Sequence, residues 1–117
     1  MRTLLSLTAA LALIGCSGAS YSGVTDNNGN QQPVVTTNVS LRNLAFSPRA
    51  IQVSPGATVD FTNNDGTAHN ITFSSASITG ATDFSAGSRA IVMPVTPGTY
   101  AYHCTIHAGM TGSVLVQ

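Results

Sequence analysis

The sequence predicts an all-β domain, a Greek-key β-sandwich or barrel of seven to eight short strands over residues 38–117. Three observations lead there. Apolar residues alternate with polar ones in repeated short runs, the period of a strand with one buried face. Turn signals at Pro55-Gly56, Asn63-Asn64-Asp65-Gly66 and Pro97-Gly98 separate these runs. No window carries an apolar stripe of helical period. The chain also lacks Lys and Glu, the residues that ordinarily coat the outer face of a solvated helix.

The elements follow in order. Val39, Leu41 and Phe46 stand among Ser, Arg and Asn and open the domain. Ile51 and Val53 alternate with Gln52 and Ser54 before the Pro55-Gly56 turn. Val59 and Phe61 alternate with Asp60 and Thr62 before the next turn. Ile71 and Phe73 form another inward pair. Residues 74–90 are rich in Ser, Ala, Gly and Thr and read as loop with one irregular strand. Ile91, Met93 and Val95 make a further period-2 set. Past Pro97-Gly98, Tyr100, Tyr102 and Cys104 share one strand face, and Val114 and Val116 share another in the last segment.

The N-terminal segment has a different texture. Leu4–Ile14 is an apolar run of eleven residues, short of the roughly 20 that a membrane-spanning helix needs. It fits the core of a secretory signal. Leu13-Ile14-Gly15-Cys16 resembles the lipobox of bacterial lipoproteins. That resemblance implies a signal peptide over residues 1–15, cleavage before Cys16 and a lipid on Cys16. An ordinary signal cleaved near Gly18 or Ser20 is the alternative. Of the 21 residues from 17 to 37, 16 are Gly, Ser, Thr, Asn, Gln, Asp or Pro, so residues 16–37 read as the lipidated cysteine and a flexible tether. The expected location is extracytoplasmic, in the periplasm or at the cell surface. The same resemblance implies, from Ser17 after the cysteine, the outer membrane where two membranes are present.

The chain of 117 residues allows one domain. Its four Arg and four Asp balance to zero formal charge, which excludes the dense basic face that nucleic acid requires. No glycine-rich phosphate loop and no G-x-S-x-G elbow are present.

The chemistry lies elsewhere. If Cys16 carries lipid, Cys104 is a lone cysteine in an oxidising compartment, where a metal would occupy its thiol. Cys104, His107 and Met110 have a C-x2-H-x2-M spacing, and His69 lies upstream. Thiolate and thioether are soft ligands, and imidazole suits copper, zinc, nickel and iron. Two His, one Cys and a weak axial Met form a blue-copper set. Cys104 continues the inward parity of Tyr100 and Tyr102, and two short turns return His107 and Met110. Zinc would take the first three donors, but Met is a poor fourth ligand for it. A binuclear copper centre lacks its second cysteine. A Cys104–His107 nucleophile pair lacks an orienting acid and an oxyanion site, so no enzyme is expected. The rival reading is a copper chaperone or buffer, which a single accessible Met suits poorly. His103 has opposite parity to Cys104 and points away from the metal, either as a solvent-facing residue or as a partner contact.

The stretch Pro97-Gly98-Thr99-Tyr100-Ala101-Tyr102-His103-Cys104-Thr105-Ile106-His107-Ala108-Gly109-Met110 resembles the ligand strand and loop of the cupredoxins of the plastocyanin and amicyanin group. Ala68-His69-Asn70-Ile71 is similar to the segment holding their first histidine. The resemblance covers residues 38–117, and the short ligand loop is similar to that of amicyanin. It implies one copper ion cycling between Cu(I) and Cu(II). His69 and His107 would supply nitrogen, Cys104 the thiolate and Met110 the axial sulfur. It further implies one-electron shuttling by a monomer between redox partner proteins met in transient docking. Asn70 would tie the ligand loops together through Thr105. Ile106 and Ala108 stand where amicyanin-like loops often carry proline. Ala68, Ile106, Ala108, Gly109 and Met110 are expected to form an apolar patch around His107. Ala68, His103, Ile106 and Ala108 would be its docking contacts.

Overall fold

The computed structural model describes residues 32–117. Cys16, the expected signal segment and most of the expected tether lie outside the described residues. Ten strands follow one another: β1 (Val34–Val35), β2 (Asn38–Arg42), β3 (Ala45–Ser47), β4 (Ala50–Val53), β5 (Thr58–Asn63), β6 (His69–Phe73), β7 (Ala81–Phe84), β8 (Gly87–Val92), β9 (Gly98–His103) and β10 (Thr111–Val116). Six form one sheet in the order β1-β4-β10-β9-β6-β7, and four form a second in the order β3-β2-β5-β8. β4 runs parallel to β1 and to β10, and β2 parallel to β5. The remaining pairs are antiparallel. No helix occurs among the described residues, and the all-β expectation holds.

The count exceeds the seven to eight strands expected, for physical reasons. β1 and β3 have two and three residues, too few to show an alternation. Residues 74–90 hold β7 and the first four residues of β8, more than the one irregular strand expected there. Both lie at sheet edges. Each commits one fully buried side chain, Phe84 or Ile91, so neither displays a period. β8 ends at Val92. Met93 is buried as expected, but Val95 is 73% exposed and does not continue the inward set. Among the described residues the first strand pairing is at Val34, inside the stretch read as tether, where β1 lies along β4 with Val34 opposite Ile51.

The core is made by the inward faces of both sheets. Val39, Leu41, Phe46, Val59, Phe61 and Ile91 from the smaller sheet meet Ile51, Val53, Ile71, Phe73, Tyr102, Val114 and Val116 from the larger. Burying such a side chain contributes about 1.5–3 kcal/mol. Tyr102 sits at the centre of an aromatic group. Its ring lies 4.8 Å from Phe46, 5.3 Å from Phe61 and 5.2 Å from Phe73, the first two edge-on. Its hydroxyl is buried without a hydrogen-bond partner. Across the ladder stands Gly112, where an added Cβ would come within 2.5 Å of the Tyr102 ring and hydroxyl. The absence of a side chain there makes room for the tyrosine.

Strand register then fixes the functional end. In the antiparallel β6/β9 pair, Thr72 faces His103 and Phe73 faces Tyr102. Each step back along β6 is matched by a step forward past the end of β9. The start of β6, His69, therefore meets the loop 104–110 at one pole of the sandwich.

Candidate metal centre

His69 is the first residue of β6 and is 0% exposed. The turn before it is organised by buried Asn63. The Asn63 amide donates to the carbonyls of Thr67 and Phe84, each at 2.8 Å, and its oxygen accepts the Asp65 N–H at 2.9 Å. This arrangement brings Asp65 over His69, with 2.8 Å between Asp65 Oδ2 and His69 Nε2. The same carboxylate accepts the backbone N–H of Leu44 at 2.9 Å and of Asn43 at 2.6 Å. The Leu44 N–H holds the Asp65 carboxyl below its usual range, with His69 and Asn43 adding to this and partial burial opposing it. An ionised carboxylate only accepts, so His69 Nε2 is the donor to Asp65, and in the neutral ring Nδ1 is then the nitrogen with the free lone pair.

Cys104 follows β9 with its sulfur inward, as the parity of Tyr102 requires, and is buried. The loop closes on itself. Cys104 donates its N–H to the Met110 carbonyl at 2.9 Å, and Met110 donates its own to the His107 carbonyl at 3.4 Å. Gly109 turns the chain at φ 79°, a left-handed conformation that suits glycine. The loop returns the half-buried His107 ring to the pole, where its centroid lies 4.8 Å from that of His69.

Three donors converge. His69 Nδ1 lies 3.1 Å from His107 Nδ1. Cys104 Sγ lies 3.9 Å from the first nitrogen and 3.8 Å from the second. All three atoms fall within 4.8 Å of one another. A first-row metal ion sits about 2.0–2.1 Å from imidazole nitrogen and about 2.3 Å from thiolate sulfur. The observed spacings are those that two imidazole nitrogens and one thiolate sulfur would keep around a single such ion. Two imidazole nitrogens and one thiolate, with the Met110 thioether in the same loop, form a donor set that would suit copper. Met110 is in the loop and is 1% exposed.

Around the donors runs a polar brace. The Asn70 amide donates to Thr105 Oγ1 at 2.7 Å and to Asp83 Oδ1 at 2.9 Å. Its oxygen accepts the Thr105 N–H at 3.0 Å and the Thr72 hydroxyl at 3.1 Å. Every donor of that amide is used, and β6, β7 and the residue after Cys104 are joined. Asn70 and Thr105 are thus joined by two hydrogen bonds. Asp65, Asn63 and Asp83 did not emerge from the sequence as site residues. One signal was available for Asp65, an acid four residues before a candidate ligand histidine.

The surface around His107 differs in one respect from expectation. Ile106 is 45% exposed, Ala108 and Gly109 are exposed, and Ala68 and His103 are half-buried. Met110, however, is buried and takes no part in a surface patch. Leu44 joins this pole through its N–H to Asp65 and is 51% exposed.

Comparison with known proteins agrees with this geometry. Residues 33–117 match the sequence model of the copper binding proteins of the plastocyanin/azurin family. Plastocyanin of Ulva prolifera is 35% identical over 86 residues, which cover 63% of this chain and 88% of that protein. Chloroplastic plastocyanin of Hordeum vulgare is 34% identical over 86 residues, and the match spans 56% of its length. The Cu(I) form of a methionine-to-alanine mutant of amicyanin superposes with a TM-score of 0.62 at 25% identity, covering 68% of this chain and 80% of that one. By the extent of the family match, and with the copper-type donor set in place, the chain belongs to the plastocyanin/azurin family of copper-binding proteins.

Proposed function

We propose that the protein is a one-electron carrier whose copper is held by His69, Cys104, His107 and Met110. The observation that carries this reading is the preformed triangle of His69 Nδ1, His107 Nδ1 and Cys104 Sγ. Copper bound there would supply the Cu(I)/Cu(II) couple. Proteins of the plastocyanin and amicyanin kind are electron carriers and not enzymes, which supports the same role here. The fold keeps the donors still. His69 is locked between Asp65 and the core, and Thr105 is locked by Asn70. A site that moves little between two charge states opposes transfer little. Half-buried His107, ringed by Ala68, Ile106 and Ala108, is the proposed exit for the electron, with His103 beside Cys104 as a further contact. An apolar patch without charges suits brief docking by a monomer on redox partner proteins.

The N-terminal reading completes the proposal. Lipid on Cys16 and a tether would hold the carrier outside the cytoplasm at a membrane surface, and the Leu13-Ile14-Gly15-Cys16 pattern supports this. The chaperone or buffer reading is disfavoured because Met93 and Met110 are both buried. A donor set meant to hand over metal would expose them. The test is copper retention by the full chain. A carrier keeps its copper through dialysis and cycles reversibly between oxidised and reduced forms. Rapid loss of Cu(I) to a soluble chelator would overturn the carrier in favour of the chaperone.

A further inference from the structure

We propose that Asp65 is a positioning residue that biases the copper site toward Cu(II), acting through His69. The proposal rests on the reading of His69 as a copper ligand. One carboxylate does two things. Oδ2 accepts a hydrogen bond from His69 Nε2–H at 2.8 Å, while the other ring nitrogen, Nδ1, faces the converging donors. Oδ1 and Oδ2 also accept the two amides of the β2–β3 turn, Asn43 and Leu44. Both oxygens are thus anchored, so the carboxylate cannot swing away from the ring. Its side chain is only 14% exposed, which limits screening by water. Among the described residues its ion-pair partner is His69, and no arginine there cancels its charge.

The consequence is electrostatic. A hydrogen bond from Nε2–H to an anion makes the imidazole a more electron-rich donor and fixes its tautomer and orientation. The negative charge also lies one ring away from the metal position. Both effects favour the more highly charged ion, and the reduction potential falls.

A purely mechanical role is the alternative outcome. The β2–β3 turn has two residues, Asn43 and Leu44, with φ of 53° and 55°. That conformation favours Asn-Gly, and leucine rarely adopts it. Asp65 could serve only to clamp this turn. Leu44→Gly relieves the turn while leaving Asp65 and His69 untouched, so it separates the two roles.

The experiment is a spectroelectrochemical titration of the copper-loaded full chain. It compares the wild type, Asp65→Asn, Leu44→Gly and the double variant, in which the eased turn secures folding. Asp65→Asn keeps an acceptor for His69 and removes the charge. It should shift the Cu(I):Cu(II) ratio at fixed poise about tenfold toward Cu(I), about 59 mV upward for a one-electron couple. The double variant should match it, and Leu44→Gly should leave the potential where it is. An unchanged or lowered potential in both Asp65 variants would overturn the proposal, as would an equal shift from Leu44→Gly alone. A wild-type chain that takes up no copper would overturn the underlying copper reading, a different and recognisable result.

Discussion

Replacing Asn70 by alanine removes four hydrogen bonds at once, those to Thr105 Oγ1, Asp83 Oδ1, the Thr105 N–H and the Thr72 hydroxyl. A hydrogen bond of this kind contributes about 0.5–1.5 kcal/mol net. Thr105 and Asp83 are exposed, so both recover water when Asn70 is gone, and the sum stays at the lower end. The expected loss is about 2–3 kcal/mol. In a domain of this size each kcal/mol moves the midpoint by about 4–8 °C, so Tm should fall by roughly 10–20 °C. Thermal unfolding followed by circular dichroism on copper-free protein is the assay, because bound metal would add its own stabilisation. A fall of less than about 3 °C would mean that the brace does not hold the ligand loop to β6, and the account of a rigid site would lose its main support.

Three further outcomes follow from the same geometry. Gly112→Ala should cost about 1–3 kcal/mol by overpacking, because the Tyr102 ring it meets is held by Phe46, Phe61 and Phe73; an unchanged urea midpoint would refute this. Tyr102→Phe should leave stability at neutral pH unchanged or raise it by about 1 kcal/mol, since the hydroxyl it removes is buried without a partner. Burial also pushes the Tyr102 pKa up from its ordinary 10.0. Above about pH 10 the unfolded chain releases a proton that the native state retains, so wild-type stability should fall by about 1.4 kcal/mol per pH unit from this group. Urea denaturation across that range should show a shallower decline in Tyr102→Phe, and identical slopes would contradict the burial argument. Met110→Gln should keep the colour of the copper protein and shift its potential, and an unchanged potential would mean that the Met110 sulfur is not an axial ligand.

The sequence was most legible where one residue faces a continuous core. Val39, Leu41, Ile51, Val53, Val59, Phe61, Ile71 and Phe73 all lie inward as their alternation required. Cys104 shares the parity of Tyr100 and Tyr102, and its sulfur is buried with the Tyr102 ring. The sequence was least legible at the sheet edges, where β7 and β8 each bury a single large side chain and leave no period to see. Val95 shows the opposite failure, for a period can continue past the end of a strand by chance. Cys104, His107 and Met110 were legible because soft sulfur donors flanking a histidine at short spacing are rare chemistry, and His69 was legible only beside them. Their supports were not. Asp65 reads as one member of a polar turn, and only tertiary contact shows its carboxylate bridging the Asn43–Leu44 turn to His69. Met110 reads as surface in a loop of Ala and Gly, yet the closure of that loop on Cys104 turns it inward.

The most direct test of the central claim is the visible absorption spectrum of the full chain after Cu(II) addition and removal of excess metal, alongside Cys104→Ser. Thiolate bound to Cu(II) in a trigonal site gives an intense visible band. The wild type should show that band, lose it on reduction and regain it on reoxidation, and Cys104→Ser should not show it. A colourless wild type that holds copper, or a Cys104→Ser chain as coloured as the wild type, would place the Cys104 sulfur outside the coordination sphere and contradict the account.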